Sequence, residues 1–138
     1  MKNPSTKIPV TLFTGFLGSG KTTLLNRMLA DPQFADSAVI INEFGEISID
    51  HLLVATPREN MVVLESGCVC CTVQGELVDT LIDLMRQRGR NGVPAFRRVL
   101  VETTGLADPI PILEVLAAHP DIPRYFALHS VVTLIDGV

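Results

Sequence analysis

Gly15-Phe-Leu-Gly-Ser-Gly-Lys21-Thr22 is the stretch of this 138-residue chain that decides its fold, because it fits the pattern G-x-x-x-x-G-K-[ST] at every fixed position. Glycines let a backbone curl tightly, so that consecutive N–H groups can point inward and bind an anion. In such loops the lysine contacts the β- and γ-phosphates of a nucleotide, and the Ser or Thr hydroxyl ligates Mg²⁺. We therefore assign nucleotide binding to Gly15, Gly18, Ser19, Gly20, Lys21, Thr22 and Thr23, with Thr22 as the Mg²⁺ ligand.

The sequence on either side of this loop predicts a strand, then the loop, then a helix. Residues 8–14 form a β-rich apolar run, and residues 22–30 place four apolar side chains on one helical face before Asp31-Pro32 ends the helix. This order brings the positive end of the helix dipole to the bound phosphates. A glycine-rich turn that contains Lys-Thr by chance would not need these flanks, so they favour the phosphate loop.

The rest of the chain alternates between strand-like and helix-like segments. Apolar runs predict strands at 37–42, 61–64, 98–102 and 130–136, with a short strand near Ile47, Ile49 or 52–54. Helices are predicted over 76–88 and from Pro109 or Pro111 to about Ala118, and residues 120–123 are predicted as a loop. This alternation predicts an α/β fold of the P-loop NTPase class, a mostly parallel sheet flanked by helices, in one domain over residues 1–138. Because no helix follows the last predicted strand to cover the sheet, we expect the domain to be incomplete at its C-terminus.

The composition of the chain argues against nucleic acid and membranes as partners. The net charge is −4, there is no tryptophan, and only 5% of residues are aromatic, so neither a basic nor a base-stacking surface for nucleic acid is expected. No apolar run is long enough to span a bilayer, and the polar N-terminus lacks the apolar centre of a signal peptide. Three cysteines within four positions favour a thiolate site in a reducing compartment, and hence a cytoplasmic protein.

A second candidate site is Glu102-Thr-Thr-Gly105, which follows a predicted core strand. Phosphate-loop enzymes place a carboxylate at the tip of a neighbouring strand to organise Mg²⁺, and a glycine just beyond it can offer its N–H to the γ-phosphate. Taken alone, a strand-to-helix turn with a solvated glutamate explains this motif better. The phosphate loop reverses that preference, and we assign the catalytic roles to Lys21, Glu102 and Gly105.

The third candidate site is Gly67-Cys-Val-Cys-Cys71. Thiolates favour soft or borderline metals such as zinc, although three small buried side chains would also explain three cysteines. If the segment is extended, Cys68 and Cys70 point to one side and Cys71 points elsewhere unless the chain turns.

The zinc site that these three cysteines suggest lacks a fourth ligand. The fourth ligand could be a water molecule or a side chain of the acidic loop that follows the second strand, namely Glu43, Glu46 or His51. Within that loop, Asn42-Glu-Phe-Gly-Glu46 stands where a nucleotide-sensing switch could lie, although a solvated acidic turn explains it better in isolation.

Together these motifs resemble the CobW-like GTPases, a family of zinc and cobalt chaperones related to the hydrogenase- and urease-maturation GTPases. Four motifs match in order and spacing: Gly15-Phe-Leu-Gly-Ser-Gly-Lys-Thr-Thr23, Asn42-Glu-Phe-Gly-Glu46, Gly67-Cys-Val-Cys-Cys71 and Glu102-Thr-Thr-Gly-Leu-Ala-Asp-Pro109. The resemblance implies GTP rather than ATP as the nucleotide, a switch at 42–46, and zinc or cobalt as cargo on Cys68, Cys70 and Cys71 for a client metalloprotein. The family's guanine-reading Asn-Lys-x-Asp element and its C-terminal domain do not occur in this sequence, so we expect the N-terminal part of a longer protein.

Three functions fit these motifs to different degrees. The first is a GTPase whose nucleotide state controls zinc loading and release. The second is a zinc sensor or buffer with a residual nucleotide site, although the intact Lys21, Thr22 and Glu102 disfavour it. The third is an ATP-dependent small-molecule kinase, which would need basic lid residues for which the sequence has no clear arginine candidate.

Overall fold

The structure, a computed structural model, describes residues 7–15, 21–41, 53–73, 75–103 and 110–134, with side chains for all of these except 15, 21–23, 53–58 and 134. Seven strands form one sheet: β1 (Ile8–Gly15), β2 (Ser37–Ile41), β3 (Leu53–Arg58), β4 (Met61–Leu64), β5 (Val69–Thr72), β6 (Arg98–Glu102) and β7 (Phe126–Leu134). The helices are α1 (Lys21–Ala30), α2 (Leu77–Gln87), α3 (Ile110–Ala118) and the single turn α4 (Ile122–Tyr125), with a 3₁₀ turn at Pro32–Phe34.

The strand order across the sheet is β3-β4-β5-β2-β6-β1-β7. The five strands from β5 to β7 pair in parallel, whereas β4 is antiparallel to both β5 and β3. The predicted α/β fold with a mostly parallel sheet is therefore confirmed. Because β2 and β6 are buried on both faces, their sequences are continuous apolar runs rather than alternating patterns.

Helices pack on both faces of the sheet. One buried cluster joins the sheet to α2, α3 and α4 through residues such as Leu81, Leu84, Leu116 and Ile122. The other joins the opposite face to α1 through Leu25 and Leu29. A layer of helix on each face is the arrangement that a parallel sheet needs to bury both of its apolar surfaces.

The chain reverses direction at glycines where the sequence predicted helix α2 to stop. Gly89 and Gly92 have φ angles of +71° and +83°, which favour glycine. Between them and β6, Phe96 is fully buried, and its carbonyl oxygen accepts a 2.7 Å hydrogen bond from Nε of Arg88. The end of α2 is thus fixed against the sheet.

Two sequence predictions near the end of the chain are wrong. Residues 120–123 were expected to be a loop, but α4 begins at Ile122, because a proline is tolerated in the first turn of a helix. The last strand was expected at 130–136, but it starts four residues earlier, where Phe126 pairs with Ile8 of β1. Exposed residues such as Leu128 hide the pattern of this edge strand, and residues 135–136 lie outside the described residues.

The short strand predicted near Ile47, Ile49 or 52–54 overlaps β3 at residues 53–54, and β3 continues to Arg58. This strand contains Pro57, which reads as a turn signal in sequence but is tolerated at a sheet edge. Residues 42–52, including Ile47 and Ile49, lie outside the described residues. None of the helices in the part of the chain that is described is long and apolar enough to cross a membrane.

Candidate functional site

The carboxyl ends of the parallel strands bring the predicted motifs to one edge of the sheet. Strand β1 ends at Gly15, the first residue of the phosphate-loop pattern, and α1 begins at Lys21. Strand β6 ends at Glu102, and β2 ends at Ile41, one residue before the acidic loop. In open α/β sheets, ligands bind at this edge.

Glu102 lies beside the strand that leads into the phosphate loop. It pairs with Phe13 of β1 in the parallel ladder, and only 5% of its surface is exposed. A glutamate at this position is therefore part of the folded core edge and not a solvated turn residue. Its role near a nucleotide-bound cation stays a prediction.

Several predicted site residues cannot be placed. The backbone of Lys21, Thr22 and Thr23 forms the first turn of α1, and their side chains are not described. The following predicted residues lie outside the described part of the chain: Gly18, Ser19, Gly20, Glu43, Glu46, His51 and Gly105. Their roles stay predictions.

The cysteine motif leads into β5, with Cys68 just before the strand and Cys70 and Cys71 within it, and the sheet separates Cys71 from the other two thiols. Cys68 and Cys70 belong to the buried cluster on the α1 face, whereas Cys71 belongs to the cluster on the α2 face. All three are 0% exposed and unpaired by disulfides. The predicted alternation of an extended segment is confirmed.

Extension also spreads the thiols along the strand. A strand rises about 3.3 Å per residue, so Cys68 and Cys71 are about 10 Å apart along its axis. Cys71 pairs with Ile40, one residue before the carboxyl end of β2. Among the described residues, no three side chains of His, Cys, Asp or Glu are grouped so that they could hold a metal ion. In this arrangement, the three cysteines do not form one metal site.

Cys68 also contacts the segment that follows α1, a contact that the sequence did not predict. Its thiol donates a hydrogen bond of 3.2 Å to the carbonyl oxygen of Phe34. The same segment is held by Arg98, whose guanidinium donates to the carbonyl oxygens of Gln33 and Ala35 at 3.1 and 3.2 Å. Cys68 is therefore hydrogen-bonded to the 3₁₀ turn that follows α1.

Burial keeps two of the thiols protonated. The pKa of Cys70 is raised to about 12, mainly by burial and to a smaller extent by the neighbouring Cys68. The pKa of Cys71 is raised above its ordinary value by burial first, and then by the charges of Cys70 and Asp83. Thiolates and not thiols ligate zinc, so a metal that binds here at neutral pH must displace these protons. Asp83 is a neighbour of Cys71 that the sequence analysis missed, because it lies on α2.

Gly67 precedes the cysteines at a position that disfavours other residues. Its φ angle is +92°, and a Cβ atom there would lie 2.9 Å from Oδ1 of Asp36. We expect Gly67→Ala to lower the free energy of unfolding by about 1–3 kcal/mol, because the variant combines backbone strain with this close contact. Urea unfolding of the variant measures the loss.

Gly89→Ala is the matched control for this prediction. Gly89 also has a positive φ, +71°, but its added Cβ would meet only the Cβ of Ala95 at 3.8 Å, an ordinary contact. The control should therefore lose less stability. Because Asp36 itself has a φ of +64°, the contact is tested by a double-mutant cycle: Gly67→Ala should cost less in an Asp36→Gly background than in the wild-type protein. A Gly67→Ala variant no less stable than the control would contradict the role of the Asp36 contact.

The fold and the position of these motifs define a P-loop nucleotide-binding domain. The sequence matches the family model described as the CobW/HypB/UreG nucleotide-binding domain over residues 9–138. The chain belongs to this family.

Curated relatives carry names that refer to zinc. The chain is 41% identical over 131 residues to the zinc chaperone YjiA of Escherichia coli, a match that covers 95% of this chain and 41% of that protein. It is 37% identical over 140 residues to the zinc chaperone CobW of Pseudomonas aeruginosa, covering 95% of this chain and 36% of the relative. The chain thus spans about two-fifths of the length of these relatives.

A solved structure supports the same fold. The crystal structure of the Zn(II)-bound YjiA GTPase from E. coli matches this chain with a TM-score of 0.72 and 40% sequence identity. The match covers 92% of this chain and 40% of the YjiA chain. At this identity, the likeness extends beyond the general architecture of parallel α/β sheets.

Proposed function

We propose that this chain is the nucleotide-binding part of a GTP-hydrolysing metallochaperone, which couples its nucleotide state to the binding of zinc and its transfer to a client metalloprotein. The observation that carries the proposal is the strand order. The two nucleotide motifs begin at the carboxyl ends of the adjacent strands β1 and β6. The cysteine strand β5 is separated from β6 only by β2. The zinc-chaperone names of the relatives and the GTPase structure support the same function.

In this proposal the residues from Gly15 to Thr23 hold GTP, and Lys21 contacts its β- and γ-phosphates. The described geometry fits this role, because a strand leads into the glycine-rich residues and a helix begins at Lys21, with the positive end of its dipole at the phosphate site. Thr22 would ligate Mg²⁺, and the buried Glu102 would organise it, directly or through a bound water. When bound, Mg²⁺ neutralises charge that develops on the phosphate oxygens. Gly105 would donate its N–H to the γ-phosphate.

Zinc would be the cargo of Cys68, Cys70 and Cys71. Cobalt is the alternative cargo for the same thiolates. Because β5 holds these thiols on two faces, we infer that loading requires this strand to rearrange. Glu43 and Glu46 follow the end of β2 and are candidate further ligands. Three free thiols also support a reducing compartment, the cytoplasm.

Strand β2 is the connection between the two sites. At its carboxyl end, the carbonyl oxygen of Ile41 accepts a 3.0 Å hydrogen bond from the N–H of Val73, just after the cysteine strand. The next residues in sequence are the proposed switch, 42–46. A switch that orders around the γ-phosphate would therefore pull on the strand end to which the cysteine segment is bonded.

The test of this coupling is the zinc affinity of the full-length protein in its two nucleotide states. We expect a difference of about 5-fold or more between the protein with GDP and with a non-hydrolysable GTP analogue, measured with a competing zinc chelator. The matched control is the Lys21→Ala variant, in which both affinities should be the same. Equal affinities in the wild-type protein would remove the coupling and leave a zinc-binding module, because a ligand without differential affinity shifts no equilibrium.

A further inference from the structure

Thr103, the residue that follows β6, is hydrogen-bonded to β1 through both its backbone and its side chain. Its backbone N–H donates a 2.9 Å hydrogen bond to the carbonyl oxygen of Phe13, and its hydroxyl Oγ1 donates a second 2.9 Å bond to the same oxygen. Thr103 is 6% exposed. Both bonds lie in the protein interior, where water cannot replace them.

The hydrogen bond from the Thr103 hydroxyl is not part of the backbone pairing between β1 and β6. Phe13 and Glu102 are the last residues paired in the β1–β6 ladder, and the N–H of Thr103 already satisfies the carbonyl oxygen of Phe13. A carbonyl oxygen has two lone pairs, so the hydroxyl can add a second bond without displacing the first. The second bond fixes the χ1 rotamer of Thr103 and, with it, the backbone that leaves Glu102.

This contact joins the two nucleotide motifs. Phe13 lies two residues before Gly15, where the phosphate-loop pattern starts, and Thr103 follows Glu102 directly. Side chains of a functional site must be held to within about 0.5 Å by their supporting contacts. A bond at this junction therefore sets the register between the end of β1 and the backbone of Glu102.

We propose that Thr103 is a positioning residue, whose hydroxyl holds Glu102 in register with the strand that enters the phosphate loop. The proposal rests on the proposed function, because it assigns to Glu102 the organisation of nucleotide-bound Mg²⁺. Thr103 itself contacts neither nucleotide nor cation in this role. Its effect passes through the Phe13 carbonyl and the backbone of Glu102.

The variants that test this role are Thr103→Val and Thr103→Ser in the full-length protein. Valine has the shape of threonine without the hydroxyl, and the carbonyl oxygen of Phe13 keeps its bond to the backbone N–H. Serine retains the hydroxyl and loses only the methyl group. The matched control is Ser130→Ala, which removes the hydroxyl bonded to Thr11 at 3.2 Å in the middle of β1, away from the carboxyl edge.

Two readouts separate positioning from folding. We expect Thr103→Val to lower kcat for GTP hydrolysis by about 10-fold or more, because small misplacements of catalytic groups are costly. The Mg²⁺ concentration that half-saturates binding of a fluorescent GDP analogue should rise about 10-fold, whereas the affinity of the analogue at saturating Mg²⁺ should stay within about 3-fold. Thr103→Ser and Ser130→Ala should remain near wild type in both measurements.

The outcomes distinguish this proposal from the proposed function. A Thr103→Val protein with wild-type kcat and wild-type Mg²⁺ dependence would overturn the positioning role alone. A Thr103→Ser protein as impaired as Thr103→Val would show that packing of the methyl group matters, and it would overturn the hydroxyl role as well. A wild-type protein that hydrolyses no more GTP than its Lys21→Ala variant would overturn both proposals. If Thr103→Val is too unstable to assay, Thr103→Ala takes its place, and the same two readouts are compared with those of Thr103→Ser.

Discussion

Lys21→Ala is expected to reduce GTP hydrolysis by the full-length protein at least 100-fold. The lysine is the only side chain of the phosphate-loop pattern that brings a full positive charge to the β- and γ-phosphates. Charge develops on the oxygens around the transferred phosphorus, and preorganised positive groups at such positions contribute some of the largest effects in catalysis. Phosphate release under saturating Mg²⁺-GTP measures the loss.

Lys7→Ala is the matched control for this variant. Lys7 is exposed and lies one residue before β1, so the control removes the same charge from the same end of the sequence without touching the motif. Its hydrolysis rate should equal that of the wild-type protein. Hydrolysis by Lys21→Ala within a few-fold of the control would mean that the phosphate-loop pattern does not form the hydrolytic site.

Removal of two cysteines is expected to remove the equivalent of zinc that the cysteine motif binds, while nucleotide binding survives. Thiolates supply most of the affinity of a cysteine zinc site, so loss of two from three should remove stoichiometric binding at micromolar zinc. We choose Cys68→Ser with Cys70→Ala. Serine keeps a donor for the carbonyl oxygen of Phe34, and alanine avoids burying an unbonded hydroxyl at the fully buried position 70.

Bound zinc per protein and the affinity for a fluorescent GTP analogue are the two measurements. The control is Val69→Ala, which truncates a fully buried side chain on the same strand between the two cysteines. It should lose some stability and keep its zinc. A double variant that still binds zinc at the wild-type stoichiometry would overturn the assignment of the cysteine motif as the cargo site.

The sequence predicted best the elements that carry strong local signals. The boundaries of β1, α1 and α2 fall within one residue of the prediction, because the glycines of the loop, Asp31-Pro32 and Gly89 mark them. Edge strands were harder to predict. The start of β7 depends on its pairing with β1, and β3 contains a proline, so both are defined by tertiary contacts and not by local preference.

In the candidate site too, local sequence patterns predicted some features, and tertiary contacts define the others. Strand-end placement of Glu102 and the opposite faces of Cys70 and Cys71 followed from the apolar runs and from the alternation of side chains along a strand. The bonds of Thr103 to Phe13 and of Cys68 to Phe34 join residues that are 90 and 34 positions apart in the chain. No local pattern encodes such separations, because they are set by the order of the strands in the sheet.

The two-faced cysteine strand has a consequence for oxidation chemistry. Neighbouring residues of a paired strand direct their side chains to opposite layers, so Cys70 and Cys71 cannot approach the geometry of a disulfide while β5 stays in the sheet. Burial also keeps their thiolate populations small, and thiolates are the forms that oxidants attack. While β5 stays paired, Cys70 and Cys71 are therefore shielded from oxidants, and we expect these two thiols to become vulnerable only when the strand leaves the sheet.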